Sequence, residues 1–212
     1  MKIKILLPLC ACSILALKSN AQTNIPGVFS SGVDNSGNLL SVGESDPHWT
    51  ISSSPIGVVP AIAASREHDW VANTASSQWI NATGIGEDSE PAGLYIYTLT
   101  FSLSGFDPAT AQISGEWASD NESEIYLNGI DTGYSNSTDE FGALDPFSIT
   151  SDFVAGQNEL QFYVTQNPGG GTNPEGLQVN IFSATAEPVP EPATLSFFGL
   201  FALAAVRVRK KR

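Results

Sequence analysis

The chain has 212 residues, of which 22 are acidic, nine are lysine or arginine and two are cysteine, and its formal net charge is −13 at pH 7. The basic residues lie almost entirely at the two ends. Residues 22–192 hold Arg66 as their single lysine or arginine against all 22 acids, a net charge of −21 with both histidines neutral. Such a surface repels nucleic acid and anionic lipid, which excludes functions that depend on binding polyanions.

Residues 1–21 are predicted to be a secretory signal peptide. Two lysines lie among the first four residues, an apolar run covers residues 5–17, and Ser19-Asn20-Ala21 offers a small-residue cleavage site. Both cysteines lie inside the apolar run, so the exported protein contains none. Without disulfides an exported domain is held together by its core alone, and residues 22–186 are long enough for one well-buried core.

Apolar residues alternate with polar ones over much of residues 22–186, which is the pattern of strands with one buried face. The clearest alternation runs through residues 95–103. Further strands are predicted at 113–117, 125–127, 160–165 and 177–182, and shorter ones at 49–52, 58–63, 78–81 and 147–150. Asn128-Gly129 predicts a type I′ hairpin turn, because both residues tolerate positive φ. No stretch shows a helical face, so the pattern predicts an all-β sandwich.

Three segments make this domain similar to the galactose-binding-domain-like jelly rolls. Asp120-Asn121 is followed by Leu127-Asn128-Gly129 at the end of a strand, and a later strand reads Gly156-x-Asn158-x-Leu160-x-Phe162-x-Val164. The resemblance covers residues 90–183, with the first strands in 28–90, and it implies a jelly-roll β-sandwich. Proteins of this fold bind sugars, bind proteins or serve as scaffolds, so the resemblance leaves the ligand open.

The exported segment offers little chemistry for catalysis. It contains no cysteine and no lysine, and its only histidines are His48 and His68. It has no Gly-x-Ser-x-Gly, His-Glu-x-x-His or phosphate-binding glycine motif. A pair of carboxylates can hydrolyse a glycoside, but a domain of this size offers little cleft for one. We therefore predict that the protein is not an enzyme.

The densest polar cluster, Arg66-Glu67-His68-Asp69-Trp70, is a candidate glycan-binding site. Arg66 and His68 can hydrogen-bond to sugar hydroxyls, and Trp70 can stack on a sugar face. The favoured alternative is an ordinary loop, in which Arg66 pairs with a neighbouring acid and Trp70 packs on the core. The other three tryptophans fall in strand-like stretches and are predicted to lie in the core: Trp49, Trp79 and Trp117.

Two acidic segments, residues 87–90 and 120–124, could supply oxygen ligands for Ca²⁺, which takes six to eight. Asp120 and Glu122 are the candidate ligands in the second segment. Neither segment has the alternating acidic loop of an EF-hand, so a solvated turn is the alternative. No cofactor is predicted beyond this candidate structural calcium. Residues 167–176, rich in glycine, proline and asparagine, are predicted to be a flexible loop at the sandwich rim.

The last 24 residues contain three ordered elements. A proline-spaced segment, residues 187–194, includes Val189-Pro190-Glu191-Pro192 and is predicted to be extended. Residues 195–206 are apolar and would span about 18 Å as a helix, which is short for a bilayer unless flanking arginines snorkel and the bilayer thins. The chain ends with five basic residues that would remain in the cytoplasm: Arg207, Arg209, Lys210, Lys211 and Arg212.

These elements are similar to the PEP-CTERM sorting signal of exported bacterial proteins. The resemblance implies that exosortase, a membrane-embedded protease, recognises the motif and removes the tail. It implies export, a transient anchor in the inner membrane, and then residence at the cell surface or outside the cell. Such signals are associated with bacteria that make extracellular polysaccharide. The predicted function is therefore a non-catalytic envelope or matrix protein associated with that polysaccharide, and the alternative is a carbohydrate-binding module with its site on the sandwich rim.

Overall fold

A computed structural model describes residues 21–87, 89–137, 140–169 and 173–190. Parts of several predicted features lie outside these ranges: residues 1–20 of the signal peptide, residue 88 of the first acidic segment, residues 170–172 of the predicted flexible loop, Glu191 and Pro192 of the sorting motif, the apolar run at 195–206 and the basic end. Among the residues that are described, no helix is long and apolar enough to cross a bilayer. The signal peptide and the membrane helix therefore stay predictions.

Within the described ranges the fold consists of antiparallel β-strands and one 3₁₀ turn at Glu140–Gly142. The strands are β1 Thr23–Asn24, β2 Ser45–Ser53, β3 Val59–Ala63, β4 Ile80–Asn81, β5 Gly93–Ser102, β6 Phe106–Asp120, β7 Glu122–Leu127, β8 Ile130–Asn136, β9 Asp145–Ile149, β10 Gln157–Gln166 and β11 Gly176–Pro188. The all-β prediction is confirmed, although the strand predicted at 78–81 is reduced to two residues. The type I′ turn is also confirmed, since Asn128 and Gly129 have φ of 54° and 76°.

The strands form two layers within one continuous sheet. One layer has the order β8-β7-β10-β5-β2-β3, and the other has β4-β11-β6-β9 with β1 added to β11. The short strand β4 pairs with both β3 and β11 and so connects the layers. At the opposite side the Tyr134 hydroxyl of β8 donates to the Ser148 carbonyl of β9 at 3.0 Å. From β5 onward most successive strands change layer, which is a connectivity of the jelly-roll kind.

The core between the layers is built on large aromatic side chains. The ring centroid of Trp117 on β6 lies 6.3 Å from that of Phe162 on β10 and 5.9 Å from that of Phe147 on β9. Trp49 on β2 also contacts Phe162, with a centroid separation of 5.7 Å. These rings are all buried, as is Trp79, so the predicted burial of the three tryptophans is confirmed. Such rings supply the apolar area that a disulfide-free sandwich requires.

The asparagines of the Leu-Asn-Gly and Gly-x-Asn segments hold two turns together. Asn158 is 1% exposed, and its Nδ2 donates to the carbonyl oxygens of Val154 and Gly156 at 2.8 and 2.9 Å. Its Oδ1 accepts from the Val154 N–H and from Asn128 Nδ2, both at 2.9 Å. Asn128 Oδ1 in turn accepts from the Glu159 N–H at 3.0 Å. These two motif residues therefore clamp the β7–β8 turn to the start of β10.

Strand β11 runs two residues past the predicted end of the domain at residue 186. Pro188 pairs with Phe106 of β6, and the Val189 N–H donates to the Gly105 carbonyl oxygen at 2.8 Å. A proline is tolerated here because β1, the neighbour on the other side of β11, pairs no further than Ala186. The sandwich therefore ends at Val189, the first residue of the predicted sorting motif.

Replacing Asn158 with alanine is expected to destabilise the domain by about 2–4 kcal/mol, because four hydrogen bonds are lost and buried partners are left unpaired. Urea unfolding followed by tryptophan fluorescence measures the change. Gln157→Ala, at an exposed neighbouring position, is the control and should change stability by less than about 0.5 kcal/mol. Wild-type stability in the Asn158 variant would contradict the clamp.

Candidate functional site

Trp70 is a core residue beneath the sandwich rim. Its side chain is 1% exposed and stacks on Trp79, with ring centroids 4.1 Å apart. A Cβ atom added at Gly176 would lie 2.6 Å from the Trp70 ring, so the ring also packs against the backbone at the start of β11. Stacking on a sugar needs an exposed ring face, so the predicted sugar-stacking role of Trp70 is wrong. The alternative of core packing is confirmed.

Arg66 stabilises the 66–70 loop through hydrogen bonds to its backbone. One of its guanidinium nitrogens donates to the carbonyl oxygens of His68, at 3.2 Å, and of Trp70. The Trp70 N–H donates to the Glu67 carbonyl at 3.3 Å, which curls the loop and brings these carbonyls toward the guanidinium. The hydrogen bonds described for Arg66 thus satisfy backbone acceptors rather than the carboxylate that we expected.

His68 lies between two carboxylates at the surface. Its Nδ1 contacts Glu67 Oε1, and its Nε2 is 3.1 Å from Asp69 Oδ2. The side chains of His68 and Asp69 are 76% and 63% exposed, whereas that of Glu67 is 13% exposed. Among the described residues, these three form the one group of histidine and acidic side chains whose ligand atoms all lie within 4.8 Å of one another. Both imidazole nitrogens thus face carboxylates. Because the side chains of His68 and Asp69 are exposed, they present their hydrogen-bonding groups to solvent.

The two candidate segments of the sequence meet in one cleft at the rim. Residues of the 66–70 loop, the end of β6, the 3₁₀ turn and the segment before β11 surround a cleft of about 330 Å³, which is lined by Glu67, His68, Asp69, Asp120, Asn121, Phe141, Asn173 and Pro174. Trp70 joins the segments from below, since its Nε1 donates to Asp120 Oδ2 at 2.8 Å. Glu122 lines a different groove on the outer face of the sheet. The structure therefore places the two calcium candidates, Asp120 and Glu122, in separate pockets.

Asp120 is the rim acid with the most altered titration. It is 6% exposed, and burial raises its pKa to about 6. The Trp70 hydrogen bond opposes this rise, and the charge of Glu67 adds to it. Its other oxygen accepts from Asn121 Nδ2 at 2.6 Å. Because both oxygens of Asp120 are engaged by neighbouring donors, the carboxyl is poorly placed to exchange a proton with a bound substrate.

A pair of buried acids beneath the rim was not predicted. Glu175 is fully buried, accepts from the Tyr97 hydroxyl, and donates its backbone N–H to Glu90 Oε2 at 3.1 Å. Glu90 Oε1 accepts from Asn81 Nδ2 at 3.3 Å and from Thr83 Oγ1 at 3.0 Å. Burial holds the pKa of Glu175 well above its usual value. The sequence around Glu175 is typical of a solvated loop, so the burial of Glu175 follows only from contacts with distant strands.

The predicted flexible loop at 167–176 is fixed at its described C-terminal end. The carbonyl oxygens of Asn173 and Pro174 accept from Gln166 Nε2 at 2.7 and 3.0 Å. The Asn173 N–H also donates to Ser89 Oγ at 3.1 Å. Asn173 and Pro174 thus form part of the cleft wall, where hydrogen bonds tie them to β10 and to the segment before β5.

Residues 188–212 match the family described as the PEP-CTERM protein-sorting motif. The chain therefore carries this sorting motif at its C-terminal end, and the resemblance predicted from Val189-Pro190-Glu191-Pro192 and the basic end is confirmed. No curated protein has a sequence that matches the chain significantly.

Solved structures that are similar to this chain include family 35 carbohydrate-binding modules. The module from Paenibacillus barcinonensis has 14% identity and a TM-score of 0.34, with 58% of this chain and 91% of the module covered. A module from an environmental isolate has 13% identity and a TM-score of 0.31, covering 67% and 98%. The module of Cellvibrio japonicus Abf62 has 15% identity and a TM-score of 0.30, covering 62% and 91%.

Trp70→Ala is expected to destabilise the protein by about 3–5 kcal/mol, because it removes a fully buried ring and leaves a cavity. Trp70→Phe, the matched variant, retains an aromatic ring but removes the donor to Asp120, and a smaller loss is expected. Denaturant unfolding and glycan binding should be measured on the same preparations. A Trp70→Ala protein with wild-type stability and lost glycan binding would restore the sugar-stacking hypothesis.

The raised pKa of Asp120 gives a pH dependence with a defined sign. The unfolded chain loses this proton near pH 3.8 and the folded protein near pH 6, so the contribution of Asp120 to folding stability is fully present below pH 4 and is lost as the pH rises to about 6. The contribution of Asp120 over this window is about 2–3 kcal/mol.

Asp120→Asn retains an acceptor for Trp70 and removes the titration, so stability should fall less steeply between pH 4 and 6 than in the wild type. Urea midpoints measured at half-unit pH steps provide the comparison. The variant isolates Asp120 from the other buried acids, because Glu175 and Asp46 remain in both proteins. Identical pH profiles for the two proteins would contradict the assignment.

Proposed function

We propose that the protein is an exported, non-catalytic component of the cell surface or extracellular matrix, processed by exosortase and associated with extracellular polysaccharide. The observation that carries this proposal is the sorting-motif match at residues 188–212, which begins where β11 ends at Pro188. A folded sandwich followed directly by such a motif is the organisation expected of a domain that is delivered to the envelope and then cut from its anchor.

The charge of the exported part supports release from the membrane after the tail is cut. Residues 22–192 carry a net charge of −21, and Arg66, their one cation other than histidine, is engaged with loop carbonyls. Repulsion from anionic lipid and anionic polymer opposes passive retention. Retention in the envelope then requires covalent attachment, bridging by divalent cations, or contact with uncharged polysaccharide.

The described chemistry supports a non-catalytic role. Asp120 has the raised pKa that a general acid needs, but its oxygens are held by Trp70 and Asn121. Glu175 also has a raised pKa, yet it is fully buried and cannot reach a substrate. Neither group combines a tuned pKa with access to substrate, and acid–base catalysis requires both.

A second candidate function is that of a carbohydrate-binding module with its site in the rim cleft. The observation that favours it is the convergence of Glu67, His68, Asp69 and Asn121 around one opening. Amide, imidazole and carboxylate groups can all hydrogen-bond to sugar hydroxyls. A glycan array on the wild type and the His68→Ala variant separates the two functions, since only a module with its site in the rim cleft would lose glycan binding with His68.

Replacing Pro190, Glu191 and Pro192 with alanine is expected to trap the uncut protein in the inner membrane. The extended recognition segment is lost, while the apolar run and the basic end remain intact. Membrane fractionation with mass spectrometry of the C-terminus measures the outcome. Pro146→Ala, which changes an exposed proline of β9, is the control and should be processed normally. A mature wild-type protein that still ends in Arg212 would refute the processing proposal.

A further inference from the structure

Two tyrosines stack on the outer face of one layer, away from the rim cleft. Tyr126 of β7 and Tyr163 of β10 have ring centroids 4.3 Å apart and an interplanar angle of 30°. Tyr163 is paired with Glu124 and Gln161 with Tyr126, so the two tyrosines are diagonal neighbours across the strands. Both are half-buried. The stacked pair therefore forms an aromatic surface that is partly exposed to solvent.

A groove of about 430 Å³ runs beside this aromatic surface. Residues of four strands line it, including Leu94, Glu122, Glu124, Ser135, Tyr163 and Thr165. The volume falls within the range of about 300–1,000 Å³ that small-molecule sites occupy. An aromatic wall with a few convergent polar groups is the composition expected of a site that binds a partly apolar ligand.

The acidic charge of the groove favours uncharged ligands over anionic ones. Glu122 and Glu124 contribute carboxylates, and Asp131 is paired with Tyr126 at the edge of the face. The Tyr126 hydroxyl donates to Glu124 Oε2 at 2.9 Å, which orients that carboxylate. These groups repel anionic ligands and accept hydrogen bonds from hydroxyl groups.

We propose that this sheet-face groove binds uncharged polysaccharide, with sugar rings packed on Tyr163 and Tyr126 and hydroxyls bonded to Glu122 and Glu124. A pyranose ring has an apolar C–H face that packs on an aromatic ring and a rim of hydroxyls that both donate and accept. The two glutamates supply acceptors for these hydroxyls. This proposal rests on the proposed association with polysaccharide and names its site and ligand class.

Calorimetric titration of the full chain in detergent tests the proposal, with cellohexaose, mannohexaose and xylohexaose as neutral probes and hexagalacturonate as the anionic probe. The wild type should bind at least one neutral oligosaccharide and not the uronate. Tyr163→Ala should weaken that binding about tenfold or more, whereas Tyr163→Phe retains the ring and should stay within about threefold. Thr100→Ala, an exposed change on β5, should leave binding unchanged.

Tyr126→Ala, on a different strand, should reproduce the loss, and melting of each variant separates lost binding from lost folding. Binding abolished by His68→Ala but retained in both tyrosine variants would place the site in the rim cleft and overturn the groove proposal. No binding of any neutral probe, or preferential binding of the uronate, would overturn it as well. Retention of the protein in a polysaccharide-containing cell fraction tests the proposed function separately.

Discussion

The contact of Trp117 with Phe162 across the two layers is the interaction on which the rest of the structure depends. Each layer has one apolar face, and a single exposed sheet of this kind would not be stable in water. Residues 22–212 contain no cysteine, so no disulfide holds the layers in register. The aromatic cluster around Trp117 sets the separation of the layers, and the clamped turns and the rim cleft are positioned by that separation.

The strands could be predicted from the sequence because one face of each strand is buried. In β10 the buried Leu160, Phe162 and Val164 alternate with half-buried residues, which is the signal that periodicity detects. The same signal cannot tell which outward residues meet. Tyr126 and Tyr163 are separated by two intervening strands in the chain, and their stacking follows only from the pairing of β7 with β10.

The rim cleft could be predicted only in part, because sequence periodicity does not show which distant residues meet. The 66–70 cluster and Asp120 were each identifiable as polar segments, but their contact through Trp70 joins residues fifty positions apart. Trp70 itself lies among charged residues in sequence and is nonetheless buried, because the turn of its loop directs the ring onto Trp79. Local composition describes a residue's neighbours along the chain, whereas burial depends on its neighbours in space.

Although residues 22–192 contain one lysine or arginine, four acids are buried among the residues whose burial is described: Asp46, Glu90, Asp120 and Glu175. Composition alone would place every acid in solvent, since buried carboxylates usually pair with Lys or Arg. Here neutral donors take that place: the Gly32 N–H bonds Asp46 at 2.6 Å, and indole and phenol groups serve Asp120 and Glu175. Neutral donors compensate burial less fully than a cation does, which is why the pKa values of Asp46, Asp120 and Glu175 are raised rather than lowered.

The hydrogen bond from Val189 to Gly105 ties the first residues of the sorting-motif match to the sandwich, since the match begins at residue 188. The fold and the motif therefore overlap at the end of β11, where Pro188 pairs with Phe106 of β6. A protein that reads Pro188 and Val189 as part of the motif would have to separate this strand end from β6. The local stability of the end of β11 thus limits how close to the folded domain the chain can be recognised.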